Sequence, residues 1–513
     1  MRFLRKTLVL IIFSFTVSIS IFSSSTFADN DIEIPKLFLT GDISDMSDKS
    51  DKRKVLFHYE NDNNNIDGYA KIKLQGSASL NFEKKNYTID LYEDDNYKNK
   101  NNVNFGWGEH DKYTLKANWI DKTHSRNIVT ANLAAELNEK YGLFSSTPNH
   151  GEIDGYPIEV YVNNDFFGLY TLNIAKSDWM FGMDKSNVHN ILFSSEQWEN
   201  QNLFKSKIEF DGTWDLEIGD DEGYAIKQLN KAVDFVMNSA DVDFRQNINS
   251  YFNLDNLLNY YALSEFAELV DNVGKNVLMA SYDGDKWLFA LYDLDLSWGV
   301  WFDQSLNYEV SSGIEKNLLF QRLRENFPNE LADRYFTLRK TMLTEENIMN
   351  KFYEFESKIP QSTLEKDQAK WGESVGYDIS QIRDFLKVRV PKTDSFFYNM
   401  YTVEPQVYLK YENSKNNDSV KITLIKNRED ITATSAGNAS SEFTFYQNGI
   451  YEISCHDWFG NYLESFKIEV DSIEENETDF EKIIPMIIFG SLASVLVAFI
   501  LIRRLIRFKT SSP

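Results

Sequence analysis

The stretch ELVDNVGKNVLMASYDGDKWLFALYDLDLSWG, residues 268–299, carries the most informative pattern in the chain. It begins where an apolar helical periodicity ends, and it continues as two apolar strands on either side of the turn Asp283-Gly284. Carboxylates flank both strands, with Asp271 before the first strand and Asp293 and Asp295 after the second. The pattern predicts a β-hairpin in a helical region, with carboxylates around it.

The regions on the two sides of this stretch differ in their apolar period. The N-terminal side alternates as strands do and contains one helical run, whereas the C-terminal side repeats apolar residues at helical spacing. The sequence therefore predicts a mixed α+β fold in which a helical part follows a part rich in strands. The predicted strands lie at 69–74, at 85–92 and in a hairpin around Asn163-Asn164-Asp165; the predicted helices lie within 121–143, 254–269, 315–358 and 377–397; residues 29–68 and 92–104 are predicted as polar surface loops.

Residues 401–473 change again, to short strands separated by turns, and predict a small all-β sandwich. Their last strands resemble bacterial immunoglobulin-like (Ig-like) modules, which read NGxYxxxxxDxxGN. Such modules mostly act as spacers, so we expect the same of this one. The matching residues are Asn448, Gly449, Tyr451, Asp457, Gly460 and Asn461.

Both ends of the chain carry export and membrane signals. Residues 1–28 combine a basic start, an apolar stretch and a small-residue cleavage site, which is typical of a secretory signal peptide. Residues 474–482 form an acidic linker, 483–502 are uncharged and long enough to span a bilayer as one transmembrane helix, and 503–513 are basic. The positive-inside rule puts that basic tail in the cytoplasm. We therefore expect a cell-membrane protein of a Gram-positive bacterium, with one span and an ectodomain outside.

The composition excludes several classes of function. Of 513 residues, 53 are Lys or Arg and 78 are Asp or Glu, so the formal charge of −25 argues against a dedicated nucleic-acid binder. With 42% hydrophobic residues the chain can bury a core, and its single cysteine, Cys455, cannot form an internal disulfide. The sequence also lacks the P-loop, HExxH, GxSxG and CxxC patterns, which removes most nucleotide, zinc-protease, hydrolase and redox signatures.

The carboxylates around the hairpin have the order of parts used by protein kinases. Asp271 is followed five positions later by Asn276, then by the hairpin and then by Asp293. Phosphoryl transfer needs a carboxylate that orients the acceptor hydroxyl, and hard oxygen ligands that hold Mg²⁺ on the phosphates. Strand parity directs Asp293 and Asp295 to one face, so either or both can reach the metal. The alternative is that Asp271 caps a helix end and that Asp293 and Asp295 lie in an ordinary turn.

Four ordered motifs resemble the spore coat protein H (CotH) type of atypical kinases over most of residues 65–400. This family implies a kinase-like, two-lobed domain, here residues 29–400, that transfers phosphate from ATP to Ser or Thr of proteins. It also implies ATP and Mg²⁺ or Mn²⁺ as cofactors and a surface or coat protein as the substrate. The motifs are LQGSASLNFEKKNYTIDL (74–91), YTLKANWIDKTHSRN (113–127), VYVNNDFFGLYTLN (160–173) and the stretch 268–299.

By this resemblance Asp271 is the catalytic base, Asn276 and Asp293 are metal ligands, and the pair Lys84-Lys85 supplies a phosphate-binding lysine. Strand parity favours Lys85 for that role, and the alternative is a solvated charge at a strand start. Arg126 lies in the pattern DxxxxRN at a helix start, where it holds phosphate or the lysine-bearing strand, or else is a surface helix charge.

The chain departs from the family in the loop at residues 75–79. Many members read RGNSS, whereas this chain reads QGSAS, so one arginine and one hydroxyl are absent. ATP is also scarce outside a cell. The alternative function is therefore a catalytically weak pseudokinase that acts in assembly or adhesion at the cell envelope or spore coat.

Overall fold

A computed structural model of the protein contains two compact units. The first unit contains the described residues up to Phe327 together with Leu338–Phe396, and the second contains Pro328–Thr337 and the described residues from Phe397 onward. The described part of the chain is 33–473 without 62–63, 210, 309–310, 373–375 and 377.

The predicted signal peptide, acidic linker, transmembrane helix and basic tail, residues 1–28 and 474–513, lie outside the described residues. Within 33–473, apart from the gaps named above, no helix is both long and apolar enough to cross a bilayer. The membrane anchor therefore stays a prediction from the sequence.

The first unit starts with a closed β-barrel. Its strands and those of a small neighbouring sheet are β1 Lys36–Thr40, β2 Arg53–Asn61, β3 Asn64–Gln75, β4 Asn86–Tyr92, β5 Val103–Asn104, β6 Glu109–His110, β7 Lys112–Lys116, β8 Gly155–Val162 and β9 Asp165–Ile174. Seven of them follow the order β1-β2-β3-β4-β7-β9-β8, and the barrel closes because β8 pairs in parallel with β1. Strands β5 and β6 pair separately.

In the described part of 29–68, β1, β2 and the first part of β3 belong to this barrel, so the prediction of surface loops there is wrong. In β2 the alternate side chains Val55, Phe57 and Tyr59 are buried in the barrel core. This two-residue period is a strand signal. The Asp- and Asn-rich segments on either side of β2 obscured it, because such residues also mark turns.

The hairpin predicted around Asn163-Asn164-Asp165 is confirmed, since β8 ends at Val162 and β9 begins at Asp165. Asn163 and Asn164 have φ of 51° and 68°. Two consecutive positive φ angles match a type I′ turn, which suits the twist of a two-residue hairpin and which asparagine tolerates.

Helices make up most of the remainder of the first unit. The described helices of the whole chain are α1 Arg126–Lys140, α2 Asp178–Phe181, α3 Glu222–Asn238, α4 Asp241–Tyr251, α5 Leu254–Ala267, α6 Leu318–Asn326, α7 Pro328–Arg339, α8 Glu345–Glu356, α9 Gln361–Trp371 and α10 Ile379–Tyr398. Helix α5 is buried over most of its surface and contacts α1. The predicted mixed α+β class is thus confirmed.

The predicted hairpin at residues 277–291 is confirmed, but it is part of a larger sheet. Its strands are β12 Val277–Ser281 and β13 Leu288–Leu291, and two further strands, β10 Ile191–Ser195 and β11 Trp214–Ile218, extend it in the order β11-β10-β12-β13. Val277 is the partner of Leu291 in the antiparallel register. The segment that precedes β12 and the segment that follows β13 therefore lie at the same end of the sheet, which brings their carboxylates together.

The strands of the second unit form two sheets. They are β14 Val407–Asn413, β15 Val420–Lys426, β16 Thr432–Ser435, β17 Asn438–Ser440, β18 Glu442–Phe445, β19 Gly449–His456 and β20 Tyr462–Val470. The sheet orders are β14-β15-β18 and β17-β16-β19-β20, and side chains of both sheets share one apolar core. The Ig-like assignment of this region stays a prediction.

Candidate functional site

A cavity of about 220 Å³ in the first unit contains most of the residues singled out by the sequence. Residues from the barrel line one side, and residues that flank the β12–β13 hairpin line the other. The side chains that matter for its chemistry are Lys84, Lys116, Asn127, Asp271, Lys275, Asp293 and Asp295, and the loop at 76–79 closes one edge.

Asp271 is buried, and donors hold both oxygens of its carboxylate. Trp198 Nε1 donates to Oδ1 at 3.2 Å, and Asn276 Nδ2 donates to Oδ2 at 2.6 Å. The Lys275 ammonium lies 3.5 Å from Oδ2. Burial raises the pKa of Asp271, whereas Lys275 and Trp198 oppose that shift. All three of these donors are side chains, and they hold the carboxylate at the cavity wall. Asp271 is therefore not a helix cap.

Asn276 and Asp293 both have a backbone conformation that is uncommon outside glycine. Their φ angles are 54° and 56°. Asparagine and aspartate tolerate positive φ better than other residues do, and such conformations cluster at functional sites. Strand β13 already ends at Leu291, so the parity argument for Asp293 and Asp295 does not hold. Both side chains nevertheless line the cavity.

Asp293 and Asp295 lie close enough for their charges to interact. Burial and then the neighbouring Asp293 carboxylate raise the pKa of Asp295 to about 7. Burial also opposes the charge on Asp293, but the Lys116 ammonium, 3.1 Å from Asp293 Oδ1, lowers its pKa overall. Two carboxylates that repel each other in a cleft form a donor set that suits a hard divalent cation.

Lys116 is a site residue that the sequence reasoning missed. It ends β7, is nearly buried, and forms its ion pair with Asp293 across the cavity. Burial would lower its pKa, but Asp293 and the nearby Tyr292 raise it overall, so the side chain stays charged. The motif YTLKANW contained the signal, since a lysine there interrupts an otherwise apolar strand end.

Lys84 lines the cavity, and its ammonium is held by Asp367 of helix α9. Lys84 Nζ donates to Asp367 Oδ1 at 2.8 Å, to Oδ2 at 2.9 Å and to the Leu169 carbonyl at 2.6 Å. Burial lowers the pKa of Lys84 to about 8 against the opposing effect of Asp367. Sequence spacing could not indicate this pair, because its members are 283 residues apart.

Lys85 is not among the residues that line the cavity. Its ammonium donates to the carbonyls of Leu80 and Phe82 in the preceding loop. The parity argument that favoured Lys85 over Lys84 fails, because β4 begins only at Asn86 and the two-residue period does not extend to Lys85. The role of either lysine in binding phosphate stays a prediction.

Arg126 is buried and is not a surface charge. It pairs with Asp121 through its side chain and its backbone N–H, and its Nη2 donates to Gln381 Oε1 at 2.6 Å. These contacts fasten the start of α1, but Arg126 does not line the cavity. Its neighbour Asn127 does, and Asn127 Oδ1 accepts the backbone N–H of Leu294, between the two aspartates of the site.

A second cavity of about 220 Å³ adjoins the first and shares Lys116, Lys275 and Asp293 with it. Asn276, Lys176 and the hydroxyls of Ser194 and Ser195 also line it. Together the two cavities offer a carboxylate that can accept a proton, oxygen ligands for a cation and several ammonium groups for an anion. That combination suits the chemistry of a polyphosphate.

Three comparisons with known proteins bear on this site. A family model described as CotH kinase protein matches residues 72–393, more than half of the chain. No curated protein gives a significant match. Solved structures with a significant match include the M60 catalytic domain with the CBM51-1 and CBM51-2 domains from Clostridium perfringens ZmpB, at 12% identity and a TM-score of 0.13, covering 31% of this chain and 20% of that chain. A likeness at that level supports no inference about fold or function.

Proposed function

Because this chain belongs to the CotH kinase protein family, we propose that it is a membrane-anchored, extracytoplasmic protein kinase. It transfers phosphate from ATP to Ser or Thr of a surface or coat protein. The barrel and the helical part of the first unit correspond, in this proposal, to the two lobes of a kinase-like domain. The C-terminal β-rich region is a spacer between that domain and the membrane.

One observation carries the proposal: Asp271, Asp293 and Asp295 line a single cavity that also contains the ammonium groups of Lys84 and Lys116. These side chains come from segments far apart in the sequence. A base, a cation-binding carboxylate pair and phosphate-binding lysines are the parts that phosphoryl transfer requires. Isolated turn carboxylates would not need such a shared cavity.

In this mechanism Asp271 accepts the proton of the acceptor hydroxyl. The acceptor oxygen then forms a bond to the γ-phosphorus while the bond from that phosphorus to the bridging oxygen breaks, and ADP leaves with the bond's electron pair. The Asn276 amide nitrogen donates to Asp271, and in this proposal its oxygen would bind a cation. Asp293 and Asp295 would be the other cation ligands, and Mg²⁺ or Mn²⁺ there would offset the charge of the phosphates.

A second function, a pseudokinase that acts in assembly or adhesion, also has specific support. The Lys84 ammonium is already paired with Asp367, and the loop at 75–79 lacks the arginine found in many family members. Both features would weaken a nucleotide site. In that case the cavity would keep its shape without turnover.

The test combines nucleotide binding and phosphate transfer on the same protein. Thermal shift with ATP alone and with ATP plus Mg²⁺ or Mn²⁺ should give a shift only with the metal, because the carboxylates repel bare triphosphate. Asp271→Asn should keep that shift and lower radiolabel transfer by about 10²–10⁴-fold, the usual contribution of a general base. Asp285→Asn, an exposed aspartate of the hairpin turn, is the matched control and should transfer normally.

Two outcomes would count against the kinase. Transfer by Asp271→Asn at the wild-type rate would remove the base from its role. A wild type whose unfolding temperature does not change with any combination of nucleotide and metal, and that labels neither itself nor a Ser-rich peptide, would favour the pseudokinase.

A further inference from the structure

We propose that Trp198 is the positioning residue of the base, since its indole N–H fixes the orientation of the Asp271 carboxylate. The inference rests on the proposed function. Nε1 of Trp198 lies 3.2 Å from Asp271 Oδ1, whereas the other oxygen accepts from Asn276. The Lys275 ammonium also lies 3.5 Å from Oδ2. Because both oxygens are held, the carboxylate cannot rotate about its last bond without losing a hydrogen bond. A base must point a free lone pair at the acceptor hydroxyl, so this rotation matters for the reaction.

Hydrogen bonds within the segment that carries Trp198 fix the backbone on both sides of this residue. It connects β10 to β11, and within it Asn202 Oδ1 accepts the Glu199 N–H at 2.9 Å while the Asn202 amide donates to the Gln197 carbonyl. These two bonds close a tight backbone loop that includes Trp198. Both chain neighbours of Trp198 are therefore held by hydrogen bonds to Asn202, which fixes the position of Trp198.

The same segment is fastened to the residues that follow Asp271. Asn317 Nδ2 donates to the carbonyls of Asn202 and Val273, at 3.0 and 3.1 Å. The backbone N–H of Leu318 donates to the Leu203 carbonyl at 2.8 Å, and Phe204 is fully buried next to it. Asn317 thus connects the segment of the indole to the segment of the base, which supports the hydrogen bond between the two side chains.

Gly274 gives an independent indication of the same contact. A Cβ on Gly274 would lie 3.0 Å from Trp198 Cε3 and 2.8 Å from Leu203 Cδ2. Its φ is not in the left-handed region, so the backbone does not require glycine there. The glycine leaves room for the indole three residues after the base.

Trp198 is not a core tryptophan, because it is only partly buried. Loss of its N–H should therefore affect the base more than the fold. Trp107 offers a matched control, since it is also half-buried in the first unit and its Nε1 donates to an aspartate, Asp154 Oδ2, at 2.7 Å. Neither tryptophan lines either of the two cavities, but Asp271, the partner of Trp198, lines the first, whereas Asp154, the partner of Trp107, lines neither.

The test compares Trp198→Phe with Trp107→Phe in steady-state transfer to a Ser-rich peptide. Trp198→Phe should lower kcat by about 10-fold or more, in the range of a lost positioning contact, and should leave the KM for ATP within about twofold. Trp107→Phe should keep the wild-type kcat. Both variants should unfold at similar temperatures.

A second substitution separates the N–H from the ring. Benzothienylalanine at position 198 keeps the bicyclic shape and replaces N–H with sulfur, so it should lower kcat as Trp198→Phe does without a change in the unfolding midpoint. A wild-type kcat in either position-198 variant would overturn the inference while leaving the proposed kinase intact. A loss of ATP binding along with a lower midpoint would also overturn it, since Trp198 would then be merely structural. A wild type without any transfer would overturn the kinase and the inference together.

Discussion

Glu152 is a carboxyl group buried in the first unit, behind the hairpin that carries the site. Its oxygens accept the backbone N–H of Leu291 at 3.1 Å and the Asn138 side-chain amide at 3.3 Å. Burial raises its pKa well above the ordinary value despite these bonds. Above the ordinary glutamate pKa the unfolded chain gives up this proton, whereas the folded chain keeps it. Stability is therefore lost as the pH rises from the ordinary pKa towards the folded one.

We predict that Glu152→Gln stabilises the protein at neutral pH. The variant keeps an acceptor for Leu291 and Asn138 and has no charge to bury, so its unfolding free energy at pH 7.5 should rise by roughly 1–3 kcal/mol. The gain should shrink towards pH 4.5, where the wild type is protonated in both states. Denaturant unfolding at several pH values measures it. Glu346→Gln, an exposed glutamate in α8, should show no such pH-dependent gain, and a gain for Glu152→Gln that persists at low pH would contradict the explanation.

Lys84 and Lys85 are neighbours with opposite surroundings, so we predict opposite effects of their replacement. Lys84→Met leaves the Asp367 carboxylate buried without its cation and should cost about 3–5 kcal/mol of stability. Lys85→Met removes bonds to two loop carbonyls and should cost less than about 1.5 kcal/mol. Chemical denaturation measures both.

A double variant separates structure from nucleotide binding at Lys84. Lys84→Met with Asp367→Asn removes both charges and should recover a large part of the lost stability. If this recovered protein still binds ATP·Mg²⁺ as the wild type does, Lys84 is a structural lysine, and Lys116 and Lys275 are the cavity lysines left to bind phosphate. A weak affinity in a stable double variant would support Lys84 in the nucleotide site.

The segment between β10 and β11 depends on close packing at one glycine. Gly274→Ala should push the Cβ into Leu203 and the Trp198 ring and should destabilise by about 1–3 kcal/mol. Gly223→Ala is the matched control, because in α3 the added Cβ meets only the Asp221 carboxylate, at 3.4 Å. Alanine is a better helix former than glycine, so that variant should be neutral or more stable by up to about 1 kcal/mol. Equal midpoints for the two variants in a thermal scan would argue against the packing.

The predictability of the elements followed the range of the interactions that make them. The β8–β9 and β12–β13 hairpins were predictable, because turn residues and apolar alternation within ten residues specify them. Strand β2 was missed, since its polar flanks resemble loops. Strand β10 was missed because its place in the sheet comes from pairing with β12, about 85 residues later, and β11 was missed because it in turn pairs with β10.

The second unit takes part of its structure from an earlier segment of the chain. Residues 328–337 of α7 belong to it, where Asp333 accepts from the Tyr401 hydroxyl at 2.7 Å and from the Glu429 N–H at 2.8 Å. The Phe336 ring packs at 5.0 Å from Trp458. The predicted boundary after residue 400 separates these partners from α7.

We predict that a chain ending at residue 400 folds less well than one ending at residue 473. The shorter chain exposes Phe336 and leaves Asp333 without both donors, so its unfolding midpoint should fall by several degrees and its solubility should drop. Its affinity for ATP·Mg²⁺, measured by calorimetry below that midpoint, should stay within about threefold of that of the longer chain. Equal midpoints would show that 328–337 does not need the C-terminal strands, and a lost affinity would show that the nucleotide site does.

At the scale of the whole chain, the sequence by itself determined the mixed α+β class, the hairpin with its carboxylates and the family. These features rest on local periods, short turns and ordered motifs, which are readable along one dimension. The tertiary structure decided that Lys84 pairs with Asp367, that Lys116 faces Asp293, and that Trp198 holds Asp271. Each of these contacts joins residues 73 to 283 positions apart. A side chain's charge and partners depend on which distant segment packs against it. Only the folded first unit brings those segments together.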